Sequence, residues 1–296
     1  MRVNKVQELW KNRQTVIGGW LTIPSGFSAE IMAHQNWDVL TVDMQHGLVD
    51  ASALVPMLTA ISTTDVIPFV RVPWLEAGII MKVLDAGSYG VICPMINTRE
   101  DAERFVSYCR YAPQGTRSFG PSRAVLYAGE DYAQHANSTV LTFAMIETRQ
   151  ALDNLEDIVS VKGLDAVFVG PSDLGLSLGY VPGNFEEPVL NEAIETILKT
   201  AQSQGIRAGI YTLTPEFARR MIELGFDFVV ISSDARLMAT QSQKILSEKP
   251  NTCIKAEGGP KTCLKIMDIF YTTRRLDEYL RAFCKIRPVL TVGLTL

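Results

Sequence analysis

Histidine is scarce in this chain: three among 296 residues, at His34, His46 and His135. Chemistry that needs an imidazole is therefore confined to three positions. Long cationic runs are missing too, and the formal net charge is -4, so the electrostatic footprint of a nucleic-acid binder is absent. No apolar stretch reaches the roughly 20 residues that a membrane span requires. Residues 1–14 are polar and mixed in charge, without the apolar core of a signal peptide. The five cysteines, Cys93, Cys109, Cys253, Cys263 and Cys284, are odd in number and fit no zinc spacing or disulfide framework. Together these absences predict a cytoplasmic protein with reduced thiols that acts on small molecules and has no nucleic-acid or membrane partner. Core-forming residues are plentiful. Hydrophobic residues make up 47% and charged residues 20%, enough for a sizeable core and too few charges for global disorder.

Short β-branched runs recur, each followed by a helical pattern. Strand candidates are 16–23, 38–43, 66–72, 89–93, 140–146, 165–169, 206–211 and 227–232. Helical periodicity falls at 3–13, at 28–34 with Ser28 as cap, and at 51–62 with Pro56 in the first turn. It returns at 76–86, 98–111, 149–161, 188–204 and 215–224. Residues 113–128 read as one long loop bearing Gly, Pro and Ser. Strands that alternate with helices imply an all-parallel sheet covered on both faces. About eight such units in roughly 240 residues fit an α/β (β/α)8 TIM barrel better than an open doubly wound sheet. No Gly-rich phosphate fingerprint follows the first strand, which argues the same way. The barrel is expected over residues 1–250. Residues 251–296 are expected to form a C-terminal helical extension, with an amphipathic pattern over 264–284.

In such a barrel the active site lies where the strands end. The apolar run Val39-Leu40-Thr41-Val42 stops abruptly in Asp43, Gln45 and His46. The third strand ends in Arg71, the fifth leads into Glu147 and the sixth into Asp173. An imidazole, a guanidinium and two carboxylates thus share one rim. Glu147 and Asp173 follow consecutive strands, which lie about 4.8 Å apart. Carboxylates so placed repel unless a cation sits between them; either one alone reads better as a helix cap, and it is the pair, with His46 and Arg71 on the same rim, that favours a metal. A hard octahedral ion such as Mg²⁺ or Mn²⁺, completed by water and substrate oxygens, meets the need. Such an ion can chelate a 2-oxo acid and act as a Lewis acid for an enolate at the adjacent carbon. His46 can then carry the proton, and Arg71 can hold an oxyanion or a carboxylate. A Schiff-base lysine is the other route to carbon–carbon chemistry in a barrel, and no predicted strand ends in lysine. His34 and His135 read as structural.

Six segments, in this order, carry a resemblance. They are Val42-Asp43-Met44-Gln45-His46, Phe69-Val70-Arg71, Leu84-Asp85-Ala86-Gly87 with Cys93-Pro94-Met95, Tyr111-Ala112-Pro113-Gln114-Gly115-Thr116-Arg117, Ile146-Glu147-Thr148-Arg149 and Val169-Gly170-Pro171-Ser172-Asp173-Leu174. Over residues 5–248 the chain resembles the HpcH/HpaI aldolase family of metal-dependent class II pyruvate aldolases. The resemblance implies a (β/α)8 barrel, often assembled as a hexamer of swapped dimers. It implies reversible cleavage of a 4-hydroxy-2-oxo acid to pyruvate and an aldehyde through a metal-bound enolate, with Mg²⁺, Mn²⁺ or Co²⁺. His46 is then the base, Arg71 stabilises the transition state, and Glu147 and Asp173 bind the metal. Gly170, Pro171 and Ser172 surround the substrate carboxylate, and Asp85 raises the basicity of the histidine. Asp85, however, ends a helix just before a strand begins, on the face of the barrel opposite His46. Either a neighbouring subunit supplies it, or it serves only a helix–strand turn and Asp43 is the fallback partner.

Two departures from the family pattern bear on the substrate. Gln45 stands where many relatives carry Glu, which should make His46 less basic; Asp43 and Gln45 are expected behind the histidine. Met145 stands where many carry Gln, so a polar contact to substrate or to metal-bound water is missing. Other functions remain open at this point. Oxaloacetate decarboxylation would use the same residues. A lyase acting on coenzyme A thioesters is disfavoured because no extra basic cluster is present. A non-catalytic acid-binding barrel would be expected to have lost one of these groups, and none is lost.

Overall fold

Eight strands close a barrel: β1 (Val16–Leu21), β2 (Val39–Asp43), β3 (Ile67–Arg71), β4 (Gly90–Cys93), β5 (Leu141–Ile146), β6 (Ala166–Val169), β7 (Arg207–Thr212) and β8 (Phe228–Ser233). They pair in sequence order, all parallel, and β8 returns to β1. This computed structural model describes residues 1–248. The extension expected over 251–296, with its helix at 264–284, lies outside the described residues.

Helix α1 (Lys5–Lys11) precedes the first strand. The connections carry α2 (Gly26–Ala33), α3 (Ala51–Ile61), α4 (Ala77–Asp85), α5 (Arg99–Cys109), α6 (Ser122–Ala128) and α7 (Tyr132–Thr139). They continue with α8 (Arg149–Asp153), α9 (Leu155–Val159), α10 (Pro171–Ser177), α11 (Pro188–Ser203) and α12 (Pro215–Leu224), and α13 (Asp234–Ser247) follows β8. β2 to β6 are buried at every position, as unbroken apolar runs require when both faces are covered.

Alternation along the strands sends every second side chain inward. Phe69, Phe143, Phe168 and Phe228 fill the middle of the barrel, with ring centroids 5.3–5.7 Å apart. Glycine lies beside three of these rings, Phe69, Phe168 and Phe228. A Cβ on Gly90 would fall 2.5 Å from Phe69, and one on Gly209 would fall 2.7 Å from Phe168. α1 closes the amino end, where buried Trp10 meets Phe143 at 6.0 Å and donates Nε1–H to the Asp227 carbonyl at 3.0 Å.

Three aspartates set register at that end by one shared device. Asp38, just before β2, accepts from the Ile17 N–H of β1 at 2.8 Å. Asp165, before β6, accepts from Thr142 N–H of β5 at 2.8 Å, and Asp227, before β8, accepts from Ala208 N–H of β7 at 3.0 Å. Each carboxylate satisfies a donor that would otherwise be left at a strand start.

Four local expectations are corrected. Ser25, not Ser28, caps α2, accepting from Ser28 N–H at 3.3 Å. Pro56 is the sixth residue of α3 rather than part of its first turn, because Asp50 caps that helix through Ser52 and Ala53. The stretch 113–128 is not all loop: α6 occupies its last seven residues, burying Ala124 and Ala128 at helical spacing. The single helix expected over 149–161 is two, divided at Asn154, whose side-chain amide donates to the Asn97 carbonyl at 2.9 Å.

Candidate active site

At the carboxyl ends of the strands the inward row changes from phenylalanine to polar residues. A cavity of about 260 Å³ opens there. Asp43, His46, Arg71 and Asp173 line it, with Met145, Gly170, Pro171 and Ser172 along one side. Trp20, Thr22, Phe168, Tyr211 and Ser233 complete the wall. A larger cavity of about 460 Å³ lies at the opposite end of the barrel, beside His34, Trp37 and Asp38. It gathers none of the rim groups, so size does not identify the chemistry here.

Asp43 organises one half of the site. β2 and β3 pair Asp43 with Arg71 directly. Arg71 donates Nε–H to Oδ1 at 2.9 Å and Nη2–H to Oδ2 at 2.6 Å, a planar two-bond pairing. Trp20 donates Nε1–H to the same Oδ2 at 3.1 Å, and its ring lies 4.9 Å from the guanidinium carbon. Oδ1 also accepts from the Gln45 and His46 N–H groups, at 3.0 and 3.3 Å. Burial pushes the Asp43 carboxyl up, but the Arg71 bonds and charge, with Trp20 and the Gln45 N–H, hold it below its ordinary value.

The turn that follows brings His46 onto the rim. Gly47 packs so closely that a Cβ there would lie 2.3 Å from the Asp43 carbonyl oxygen. His46 is exposed, and no hydrogen bond to its imidazole occurs among the described residues. Asp43 is therefore not the histidine's side-chain partner: its lone pairs already serve Arg71, Trp20 and two backbone donors. Gln45 is half-buried, and its Oε1 has no partner.

Glu147 forms the other half. It follows β5 and is 2% exposed. Oε1 accepts one backbone bond, from Met95 N–H at 2.8 Å. Met95 adopts a left-handed φ of 55°, a conformation a non-glycine residue keeps only where its surroundings impose it. Oε2 lies against Gly170, where a Cβ would come within 2.6 Å. No cationic side chain bonds this carboxylate among the described residues. Burial pushes its carboxyl up to about 7, against the Met95 N–H, and the charge of Asp173 adds to the rise. Asp173 is exposed in the first turn of α10 and lines the cavity, whereas Glu147 is buried behind Gly170 and does not line it.

These donors fit a hard divalent cation. A buried carboxylate that no cationic side chain bonds, within reach of the charge of a second carboxylate, is stabilised by such an ion. Among the described residues no three His, Cys, Asp or Glu side chains converge on one point. The protein would supply two oxygens' worth of charge, and water and substrate the remaining ligands.

Asp85 lies elsewhere, at the last residue of α4 and hence at the amino end. Arg117 Nη2 donates to its Oδ1 at 2.7 Å and Nη1 to Tyr132 Oη at 3.0 Å. Within the chain it does not join His46. His34 closes α2, and His135 pairs with Asp131 on the surface at 3.6 Å. The reading of the sequence missed Trp20, Thr22, Phe168, Tyr211 and Ser233. Trp20 and Tyr211 were discoverable, since both lie inward in runs already read as strands. Ser233 was not, because that strand was read as ending at 232.

The sequence pattern of the HpcH/HpaI aldolase/citrate lyase family matches residues 17–240. The chain is 40% identical over 247 residues to a hydroxypyruvate/pyruvate aldolase of Rhizorhabdus wittichii, covering 83% of this chain and 98% of that protein. It is 34% identical over 244 residues to a 5-keto-4-deoxy-D-glucarate aldolase of Escherichia coli, covering 82% and 95%. The crystal structure of an HpcH/HpaI aldolase/citrate lyase family protein from Burkholderia cenocepacia aligns at a TM-score of 0.78 and 30% identity, covering 83% and 99%. With the barrel closed and the match running through all eight strands, the chain belongs to the HpcH/HpaI aldolase/citrate lyase family and is a carbon–carbon lyase.

Proposed function

We propose that the chain cleaves a 4-hydroxy-2-oxo acid reversibly to pyruvate and an aldehyde, with Mg²⁺, Mn²⁺ or Co²⁺ held by Glu147 and Asp173. One observation carries the reading: a buried Glu147 carboxylate that no cationic side chain bonds among the described residues, within reach of the charge of Asp173, which lines the cavity with His46 and Arg71. Bound there, the cation supplies a Lewis acid for the oxygens of the 2-oxo acid.

In the cleavage direction a ring nitrogen of His46 takes the proton of the 4-hydroxyl. The oxygen's electron pair closes the aldehyde C=O, and the C3–C4 bond breaks. Its electron pair forms the enolate of pyruvate, and His46 returns the proton it took to C3, which gives pyruvate and regenerates the neutral imidazole. Arg71 stabilises the oxyanion, already oriented by Asp43 and Trp20, so little reorganisation is required as charge develops. Gly170, Pro171 and Ser172 line the place for the substrate carboxylate. Met145 offers an apolar wall and keeps water from C3. Because the Rhizorhabdus relative is named for hydroxypyruvate as well as pyruvate, both belong in the assay.

The reading includes a homo-oligomer, a hexamer built as a trimer of dimers, in the cytoplasm. α13 supports it. Every residue from 235 to 248 is exposed, including Leu237, Met238, Ile245 and Leu246, an apolar set that invites cover by another copy. Among the described residues no helix is long and apolar enough to cross a membrane. In the assembly Asp85 would reach His46 of the partner subunit and raise its basicity. Mixing inactive His46→Ala and Asp85→Ala chains should then restore part of the activity; two variants that never complement would remove Asp85 from the site.

The central test is pyruvate release from 4-hydroxy-2-oxo acids after chelation, with and without Mg²⁺, Mn²⁺ or Co²⁺. Activity should vanish on chelation and return with one of these ions. Activity that survives chelation and is untouched by Glu147→Ala would sink the metal reading.

A further inference from the structure

We propose that Tyr211 and Ser233 select the aldehyde half of the substrate, and that this half is a short, uncharged hydroxyaldehyde. The proposal rests on the aldolase reading above and extends it to the part of the cavity that reading leaves unused. The cavity has two unlike sides. Arg71, Ser172 and Asp173 serve the oxo acid. Next to them, the paired ends of β7, β8 and β1 bring Tyr211, Ser233 and Trp20 to the wall, with the Trp20 ring against Arg71.

Ser233 reaches that wall through an irregularity. The β1–β8 register shifts between Gly18 and Trp20, so that Trp20 faces Ser233, and Ser232 takes a left-handed φ of 62°. A bulge of this kind at a barrel rim re-aims a side chain, and a strained non-glycine residue marks a place where the surroundings impose that aim. The Ser233 hydroxyl and the Tyr211 phenol line this wall together, and the Ser233 oxygen accepts from the Arg236 N–H at 3.4 Å. The Tyr211 ring stands edge-on to Trp20, with centroids 5.5 Å apart and planes at 73°, which fixes the position of the phenol.

Each hydroxyl offers a proton and lone pairs, a combination that matches another hydroxyl, which both accepts and donates. A carboxylate only accepts, so it would leave those lone pairs unmatched and would need a counter-charge. The arginine that lines the cavity, Arg71, is already matched by Asp43 at 2.6 Å. The volume of about 260 Å³ must also hold the oxo acid, which limits the aldehyde to a few carbons.

The test runs in the synthetic direction with pyruvate and three aldehydes: glycolaldehyde, propanal (a methyl in place of the hydroxyl) and anionic succinic semialdehyde. Exchange of the pyruvate methyl protons into D₂O, without aldehyde, is measured alongside. Glycolaldehyde should exceed propanal in kcat/KM by about 10-fold or more, because a site built to bond a hydroxyl rejects the analogue that lacks it. Tyr211→Phe and Ser233→Ala should each lower that ratio, Tyr211→Phe more. A ratio near one, or a ratio that neither variant moves, overturns the proposal. So does a preference for succinic semialdehyde, which would assign the wall to anion recognition with Arg236, whose charge reaches Tyr211. Exchange with a flat ratio sinks the selection alone. No exchange in the wild type sinks the aldolase reading and the selection together.

Discussion

The two ends of the barrel hold the same residue types and treat them oppositely. At the amino end every carboxylate of note is satisfied. Asp165 takes three bonds through one oxygen, from Thr142 N–H, Thr142 Oγ1 and Arg110 Nη2, each at 2.8 Å. Asp227 pairs with Arg207 and Asp85 with Arg117, at 2.8 and 2.7 Å. At the carboxyl end, among the described residues, Glu147 has one backbone donor and the His46 side chain has no hydrogen-bond partner. Two carboxylates there are satisfied: Asp234 accepts from the Thr22 N–H and hydroxyl and from the Ile23 N–H, and Asp43 with Arg71 is a closed pair that orients rather than reacts. The contrast teaches what separates a structural charge from an available one. Satisfied groups fix strand register; unsatisfied ones retain free energy that a ligand can release.

The sharpest way to break the contrast is to exchange the consequences of mutation at the two ends. His46→Ala should lower kcat by about 10²–10⁴, the usual contribution of positioned proton transfer. The rise in Tm on adding the divalent cation should persist, since His46 is not among the proposed ligands. Full activity in this variant would remove the proton-transfer role. Asp165→Ala should do the reverse. It strands three donors and should cost about 2–3 kcal/mol in urea denaturation while kcat stays near wild type. A large loss of kcat at wild-type stability would mean that Asp165 serves catalysis rather than strand register.

The same contrast explains what was legible in the sequence. The strands were readable because burial on both faces demands unbroken apolar runs, and β2 through β6 show such runs. His46, Arg71, Glu147 and Asp173 were readable because a polar residue at the end of such a run is conspicuous. The partner of Arg71 was not. The pairing of Asp43 with Arg71 depends on the register of β2 against β3, which no local pattern states. α6 was missed because Gly, Pro and Ser around it read as loop, whereas small Ala124 and Ala128 pack it down. The break at Asn154 depends on a tertiary bond to Asn97. Ser233 depends on a register shift, and register shifts leave no compositional trace.

A smaller effect sharpens the account of Glu147. Its folded carboxyl binds a proton more tightly than an unfolded one, about 7 against 4.5. Between those values the folded chain holds more protons, so its stability falls as pH rises through that window. Chelated wild type should therefore lose Tm between pH 5 and pH 8. Glu147→Gln is neutral throughout and should lack this decline. At pH 8 and without metal it should melt roughly 2–4 °C above wild type, a shift of about 1 kcal/mol for a chain of this size. Added Mg²⁺ should raise the wild-type Tm at pH 8 and leave the variant where it was. Equal pH slopes for the two chelated proteins would show that the Glu147 charge is compensated without a cation.

The smallest predicted effect tests whether Asp43 and Arg71 orient the site or merely stabilise it. Trp20 touches both, through its N–H to Asp43 and its ring beneath Arg71. Trp20→Phe keeps a ring under the guanidinium and removes the donor. One neutral-to-charged hydrogen bond at this site should be worth about 1 kcal/mol, and its loss should lower kcat by roughly 3- to 10-fold. The loss belongs in kcat because the guanidinium is proposed to act on charge that appears only in the transition state, so ground-state binding should be nearly untouched. Trp20→Leu removes both contacts and should cost more, again in kcat. If KM rises instead while kcat holds, Trp20 is a wall for the substrate, and the closed pair at the carboxyl end needs no third member to keep its geometry.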